Sequence, residues 1–369
     1  ILAGNNTYQG GTSILEGTLQ IGNDGAGGTL GSGPILNNGT LRIDRSGALN
    51  LTSSISGSGN LIVDNVGTGD TLTLGADNTF TGGVTIARGI LRVNRSASLG
   101  NSSKTVTAST GYARLELDGT TAPVTLPSAI SINISGSQSG GSLRNYSGNN
   151  TIAGTLGAAT GAGNALVSSD GGSLTLAGGV RTVNSGGRTL VLGGTSTGAN
   201  NVSGRMYNGT STLTVQKTGS GTWTISHPNN TYTGTTTVNA GTLILGGSLT
   251  SDIVVNTATL APEGTPATTG SLVLNSSGRF EVRPGDSLSV GASITLAGNL
   301  DIIAPPGLAP GASHTILDNT GPGLISGSFS GKPEGTVFPA SGYNWLITYK
   351  GGTGNDLVLT IIPDSAIEQ

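Results

Sequence analysis

The residue types that could do chemistry are few in this chain, and most stand alone. Glu116 and Asp118 lie two apart in Leu115-Glu116-Leu117-Asp118. A strand would project both carboxylates from one face, the least that general acid–base cleavage of a polysaccharide needs. Gly351-Gly352-Thr353-Gly354-Asn355-Asp356-Leu357-Val358-Leu359 fits a calcium-binding nonapeptide, Gly-Gly-x-Gly-x-Asp-x-apolar-x. Such sites need successive turns that share each ion, and this one occurs once, so it reads as a Gly-rich turn before a strand. His227 and His314 sit in turn-like contexts beside Pro228 and Ser313. With no cysteine and no phosphate loop, no nucleophile–base constellation suggests itself. The expectation is no catalytic residue, no cofactor and no metal, with Glu116 and Asp118 as solvated face residues.

Arginines recur in pairs, Arg42/Arg45 and Arg92/Arg95, within Leu41-Arg42-Ile43-Asp44-Arg45-Ser46-Gly47 and Leu91-Arg92-Val93-Asn94-Arg95-Ser96-Ala97. Stacked, they would form a basic stripe for anionic glycans. As solvent-facing charges they would keep one face soluble, and this second reading is the favoured one.

The elements that carry these residues are set by a phrase written three times. Asn6-Thr7-Tyr8-Gln9-Gly10-Gly11, Asn78-Thr79-Phe80-Thr81-Gly82-Gly83 and Asn230-Thr231-Tyr232-Thr233-Gly234-Thr235 each lead to a Gly-x-Leu strand at Gly17, Gly89 and Gly241. Asn and final Gly are 11 residues apart every time (6 to 17, 78 to 89, 230 to 241). Constant spacing at this scale marks one supersecondary unit reused along a solenoid. In that unit Asn6, Asn78, Asn230 and Gly10, Gly82, Gly234 are expected at turns. Tyr8, Phe80 and Tyr232 are expected as corner packing residues in preference to sugar-stacking platforms. Paired asparagines (Asn5-Asn6, Asn37-Asn38, Asn149-Asn150, Asn200-Asn201, Asn229-Asn230) are expected in left-handed turn positions, with side-chain ladders between coils.

Composition agrees. Glycine supplies 65 of 369 residues while charged residues make up 9% and hydrophobic ones 34%, too apolar for a disordered linker. Short alternating runs such as Thr40-Leu41-Arg42-Ile43 and Thr71-Leu72-Thr73-Leu74 read as strands with apolar residues inward. No stretch carries a helical period with caps. The fold class is therefore all-β, a parallel β-solenoid with essentially no helix. A net charge of −3 argues against nucleic acid, and no apolar run reaches membrane-spanning length.

At these residues the chain resembles the autotransporter-associated β-strand repeat of bacterial surface and secreted proteins. Gly219-Ser220-Gly221-Thr222-Trp223-Thr224-Ile225 extends the likeness upstream of the third copy, and His227-Pro228 departs from it. Ala258-Thr259-Leu260-Ala261-Pro262, Gly327-Ser328-Phe329-Ser330-Gly331 and Trp345-Leu346-Ile347-Thr348-Tyr349 are similar to the end module that follows such repeats. The resemblance implies a right-handed β-helix, exported to the bacterial surface or medium, acting as a stalk or scaffold without a catalytic site. On this reading residues 1–250 form the solenoid, with repeats at 2–22, 74–94 and 225–246 and degenerate coils at 111–205. Residues 251–362 form the end module and 363–369 a tail.

Ile1-Leu2 at one end and Leu357-Val358-Leu359-Thr360-Ile361-Ile362 at the other are strand-prone. Ile1, Leu2, Leu359 and Ile361 are thus expected as assembly ends, joining copies head to tail into a filament. The leading expectation is an extracellular structural subunit with itself as partner. The alternatives are a passenger stalk or adhesin that contacts surface glycans and, last, a polysaccharide-degrading enzyme.

Overall fold

The computed structural model describes residues 1–108, 110–136, 141–159 and 163–363. These form β-strands, turns and bends, with no helix among the described residues. The chain groups into two compact units, Ile1–Leu213 and Thr214–Gln369. Each is built on stacked parallel strands, so the fold is a β-solenoid, of about 12 turns in all.

In the first unit the chain visits three stacks in turn. One begins Thr18–Ile21, Thr40–Ile43, Asn60–Asp64, and the next begins Leu49–Leu51, Thr71–Leu74. The third side holds two separate sheets, first Thr12–Ile14, Ile35–Asn37 and Ile55–Ser56, and later one that begins Thr125–Leu126, Asn149–Ile152 and Ser173–Leu176. The strand Val84–Val93 turns a corner, its first half pairing with Asn60–Asp64 and its second with Thr71–Leu74.

Register is held by inward columns of apolar residues. Leu19, Leu41, Leu61, Val84, Val106, Ile132, Leu156, Val180 and Met206 are successive partners on the first stack. From Leu41 onward every one is buried. A one-residue slip would turn such a column out to solvent, so the alternation itself fixes the pairing. The second unit repeats the device with larger groups: Trp223, Leu243, Leu260, Phe280 and Leu300 form one buried column.

Stacked turns bring backbones very close. A Cβ on Gly82 would sit inside the contact radius of the Gly59 carbonyl oxygen, and one on Gly59 inside that of Gly39. The last glycine of the repeated phrase has a different reason to be there. Gly17, Gly89 and Gly241 adopt φ of 69°, 77° and 66°, the left-handed region that glycine enters without steric cost.

The far end of the second unit corrects one expectation. Strand Asp356–Ile362 lies between Ser313–Asn319 and Tyr343–Gly351, antiparallel to both, and Leu359 and Ile361 are buried. Both its edges are already paired, so Leu359 and Ile361 do not offer a joining edge. The outer strand of this sheet is Val337–Ala340, which carries Pro339, a residue that blunts sheet edges. In the first unit Leu2 bridges in parallel to Ile21, its N–H donating to the Gln20 carbonyl at 2.8 Å, while Ile1 is exposed.

Candidate functional site

The repeated phrase builds a corner. Asn78 Oδ1 accepts the Ile55 N–H at 2.7 Å, and its Nδ2 donates to the carbonyls of Ala76 at 3.3 Å and Ser98 at 2.6 Å, so one amide ties three coils. Asn230 Nδ2 donates to His227 O at 2.8 Å and Ser248 O at 3.1 Å. Asn6 Nδ2 reaches Gly4 O at 3.0 Å and Thr29 O at 2.8 Å. None of these asparagines takes a left-handed backbone: among the described residues other than glycine, only Asp24 and Ser341 have positive φ. The paired-asparagine expectation is corrected accordingly, because the side-chain amide, and not the backbone angle, is what the corner uses. Side-chain ladders do form elsewhere, as Asn256 donates to Asn239 at 2.7 Å and Asn275 to Asn256 at 2.6 Å.

The aromatic of the phrase fills the corner. Phe80 and Tyr232 are 0% exposed, so neither presents a ring to a ligand, whereas Tyr8 is 38% exposed. Tyr232 OH meets Thr236 Oγ1 at 2.6 Å, and that hydroxyl meets Ser251 Oγ at 2.8 Å. Tyr8 OH meets Thr12 Oγ1 at 2.7 Å in the same way. Where the ring is Phe80, the residue four on is Val84. Burial pushes the Tyr232 phenol up to about 12 against the pull of its hydroxyl partners. Gly234 is buried, Gly82 meets the Gly59 carbonyl, and a Cβ on Gly10 would meet nothing.

The unit is not tied to one side of the coil. The first copy leads into Thr12–Ile14 on the third stack and ends on Thr18–Ile21 in the first. The second copy leads into the first stack and ends on the second, through the two halves of Val84–Val93.

The carboxylates are engaged. Glu116 is 0% exposed and held by three arginines. Arg92 Nε and Nη2 bond its Oε2 at 3.1 and 2.7 Å, while Arg114 Nη1 and Arg144 Nη1 reach Oε1 at 3.2 and 3.3 Å. Asp118 accepts from the Thr120 N–H at 3.1 Å and from its hydroxyl at 2.5 Å. Glu116 is thus no solvated face residue, and the pair cannot share a substrate. Asp356 accepts the N–H groups of Asn319 at 2.9 Å and Thr353 at 3.2 Å, so its carboxylate closes a turn. His227 Nδ1 accepts the Asn229 N–H at 3.1 Å, and the His314 ring lies 6.0 Å from that of Trp345.

Of the paired arginines Arg95 is exposed, as expected of a solvent-facing charge, but Arg45 is not. Arg45 is buried and donates to Gly28 O at 2.9 Å and Ala26 O at 2.7 Å, and Arg95 donates to Gly75 O at 2.9 Å. Both fasten a corner to the preceding coil. Arg42 binds Asp64 and lies 3.5 Å from Asp44, whose Oδ2 also accepts Gln20 Nε2 at 3.2 Å. Arg88 Nε meets Asp64 Oδ1 at 2.5 Å. Burial raises the Asp44 pKa, helped by the charge of Asp24. Burial acts the same way on Asp64, but there the bonds and charges of Arg88 and Arg42 outweigh it, and its pKa falls below the ordinary value.

Sequence reasoning missed two buried lysines. Lys217 Nζ donates to the carbonyls of Thr218, Gly219 and Ala240 at 2.8, 2.9 and 2.9 Å. Lys104 Nζ donates to Phe80 O and lies 3.7 Å from the Phe80 ring centroid. Burial pulls each ammonium down to about 8. The alternation held the signal, since Lys217 follows Leu213 and Val215 in an inward slot and Lys104 precedes Val106 and Ala108.

Among the described residues no cluster of metal-ligating side chains forms, and the arrangement performs one task, fastening coil to coil. Known proteins share its pattern. The passenger-associated-transport-repeat family matches residues 1–21, 66–93 and 215–245, around the three phrases. Over 54 residues the chain is 56% identical to a protein named Adhesin BmaC autotransporter from Brucella suis biovar 1 (strain 1330). That match spans 15% of this chain and 2% of the adhesin. The phrase, the stacked parallel strands and the matched segments agree that the chain carries autotransporter-associated repeats at these three places.

Proposed function

We propose that this chain is a segment of a secreted or surface-displayed autotransporter passenger, a non-catalytic β-solenoid that carries an adhesive surface. The observation that carries the reading is the fate of the repeat. Its asparagines, its buried aromatics and its crowded glycine all act between coils, which leaves outward side chains as the part free to meet a partner. The 56% identity to part of a protein named an adhesin supports adhesion over a purely mechanical role. Residues 251–362 are its end module, and surface glycans are the expected partners. The enclosure of Glu116 by three arginines supports the absence of catalysis.

Beads coated with the purified chain should attach to cultured epithelial cells more than beads coated with an unrelated β-protein. Equal attachment would sink the adhesive reading. Incubation with acidic polysaccharide should release no new reducing ends. Turnover that disappears in Glu116→Ala would overturn the non-catalytic part.

A further inference from the structure

One outward column of the first unit is built differently from the rest. Arg92, Glu116 and Arg144 are register partners on three successive strands, Val84–Val93, Ala113–Asp118 and Leu143–Ser147. Glu116 takes Nε and Nη2 of Arg92 and Nη1 of Arg144, and Asp170 takes Nε of Arg144 at 2.6 Å. Arg114 backs the column from below, bonding Glu116 and the Gly141 carbonyl at 2.9 Å. Two nitrogens have no hydrogen-bond partner among the described residues: Nη1 of Arg92 and Nη2 of Arg144. Three guanidinium groups against two carboxylates leave the column with one positive charge.

Tyr146 lies over this column. Its ring centroid is 4.3 Å from Arg92 Cζ and 5.3 Å from Arg144 Cζ, and the residue stays 41% exposed. The guanidinium groups are held by the buried Glu116 carboxylate and, for Arg144, by the half-buried Asp170, so they are already oriented when a ligand arrives and little ordering cost remains. The Arg92 and Arg144 backbones stand two strand spacings apart, about 10 Å.

We infer that Tyr146, Arg92 and Arg144 form a binding site for a carboxylated saccharide, the sugar lying against the exposed part of the phenol ring and its carboxylate bridging the two unbonded guanidinium nitrogens. The chemistry selects this class. A ring with open surface accepts the C–H face of a sugar, and charge-assisted N–H groups select an anion. A single excess charge suits one carboxylate, and a chain of net charge −3 does not draw in a polyanion such as nucleic acid. Sialic and uronic acids both carry this chemistry. The inference deepens the adhesive reading and rests on it only for its biological use.

Calorimetric titration of the full chain with sialyllactose, trigalacturonate and neutral lactose tests the site. At least one acidic sugar should bind about tenfold tighter than lactose, weakening as salt rises. Which acid binds tells a sialate from a uronate source. Tyr146→Ala should cut that affinity about tenfold with an unchanged melting temperature, and Tyr146→Phe should keep it. Lactose binding as well as both acids, no binding of either acid, or an unaltered affinity in Tyr146→Ala would overturn the proposal. The bead assay separates the two readings. Attachment by a chain that binds neither acid in the calorimeter sinks the site but leaves adhesion standing. Acidic-sugar binding without attachment upholds the site and sinks adhesion.

Discussion

The corner at Phe80 and the corner at Tyr232 begin from the same phrase and close it in different ways. At Phe80 the ring and the following Val84 are both apolar, and a buried ammonium, Lys104, lies over the ring face. At Tyr232 a phenol, Thr236 and Ser251 make a chain of hydroxyls, each bonded to the next. Either solution is complete because it is consistent: a hydroxyl appears with a partner or not at all, since an unpaired buried hydroxyl costs about 1–3 kcal/mol. The difference teaches that the repeat specifies a shape, one flat ring between coils, and that its polarity is settled locally as a pair of residues four apart.

The hardest way to break the comparison is to remove the rings. Phe80→Ala and Tyr232→Ala should each cost about 3–5 kcal/mol, whereas Tyr8→Ala, at a half-open corner, should cost well under half as much. Urea unfolding followed by far-ultraviolet circular dichroism would measure this, and equal losses at all three would show that the corners do not depend on the enclosed ring.

A pH titration sharpens it next. Lys104 and Lys217 have folded pKa values of about 8, below the 10.5 of a free lysine, so the unfolded chain holds more protons between those values. Stability should therefore rise from pH 8 toward 10, by at most about 3 kcal/mol per lysine. Tyr232 and Tyr349 run the other way. Their folded pKa of about 12 exceeds the ordinary 10, so their contribution is whole below pH 10 and is lost as pH climbs toward 12. Melting temperature should peak near pH 10, and Lys217→Met should flatten the rising limb. A midpoint that falls steadily from pH 8 would contradict both lysine shifts.

The smallest effect is the most specific. Tyr232→Phe should cost about 1 kcal/mol by removing one of the two bonds of the Thr236 hydroxyl, and adding Thr236→Val together with Ser251→Ala should recover part of it, because the corner then copies the apolar pair Phe80 and Val84. Strict additivity in that cycle would show that the pairing across the corner carries no energy.

Much of the fold was legible. Alternating Thr-Leu-x-Leu runs and an 11-residue phrase imply strands that cannot bury their faces except by stacking. The site was legible only in part. Glu116 was visible as a residue type, but its partners Arg92 and Arg144 lie 24 and 28 positions away on neighbouring coils, and no local spacing reveals such a pairing. The same holds for Leu359 and Ile361. A β-prone run looks like an edge until the strands on either side of it are known.

The sequence alone determined the period, the inward columns and the glycines at 17, 89 and 241, because these follow from side-chain alternation and from backbone angles that only glycine adopts freely. Tertiary structure decided which charges meet, which tyrosine stays open to solvent and which strand lies in the middle of its sheet. Those depend on the number of residues each coil spends before returning. That number varies along the chain, 20 from Leu41 to Leu61 and 26 from Val106 to Ile132, so it sets the neighbours of every outward side chain without leaving a mark at the residue itself.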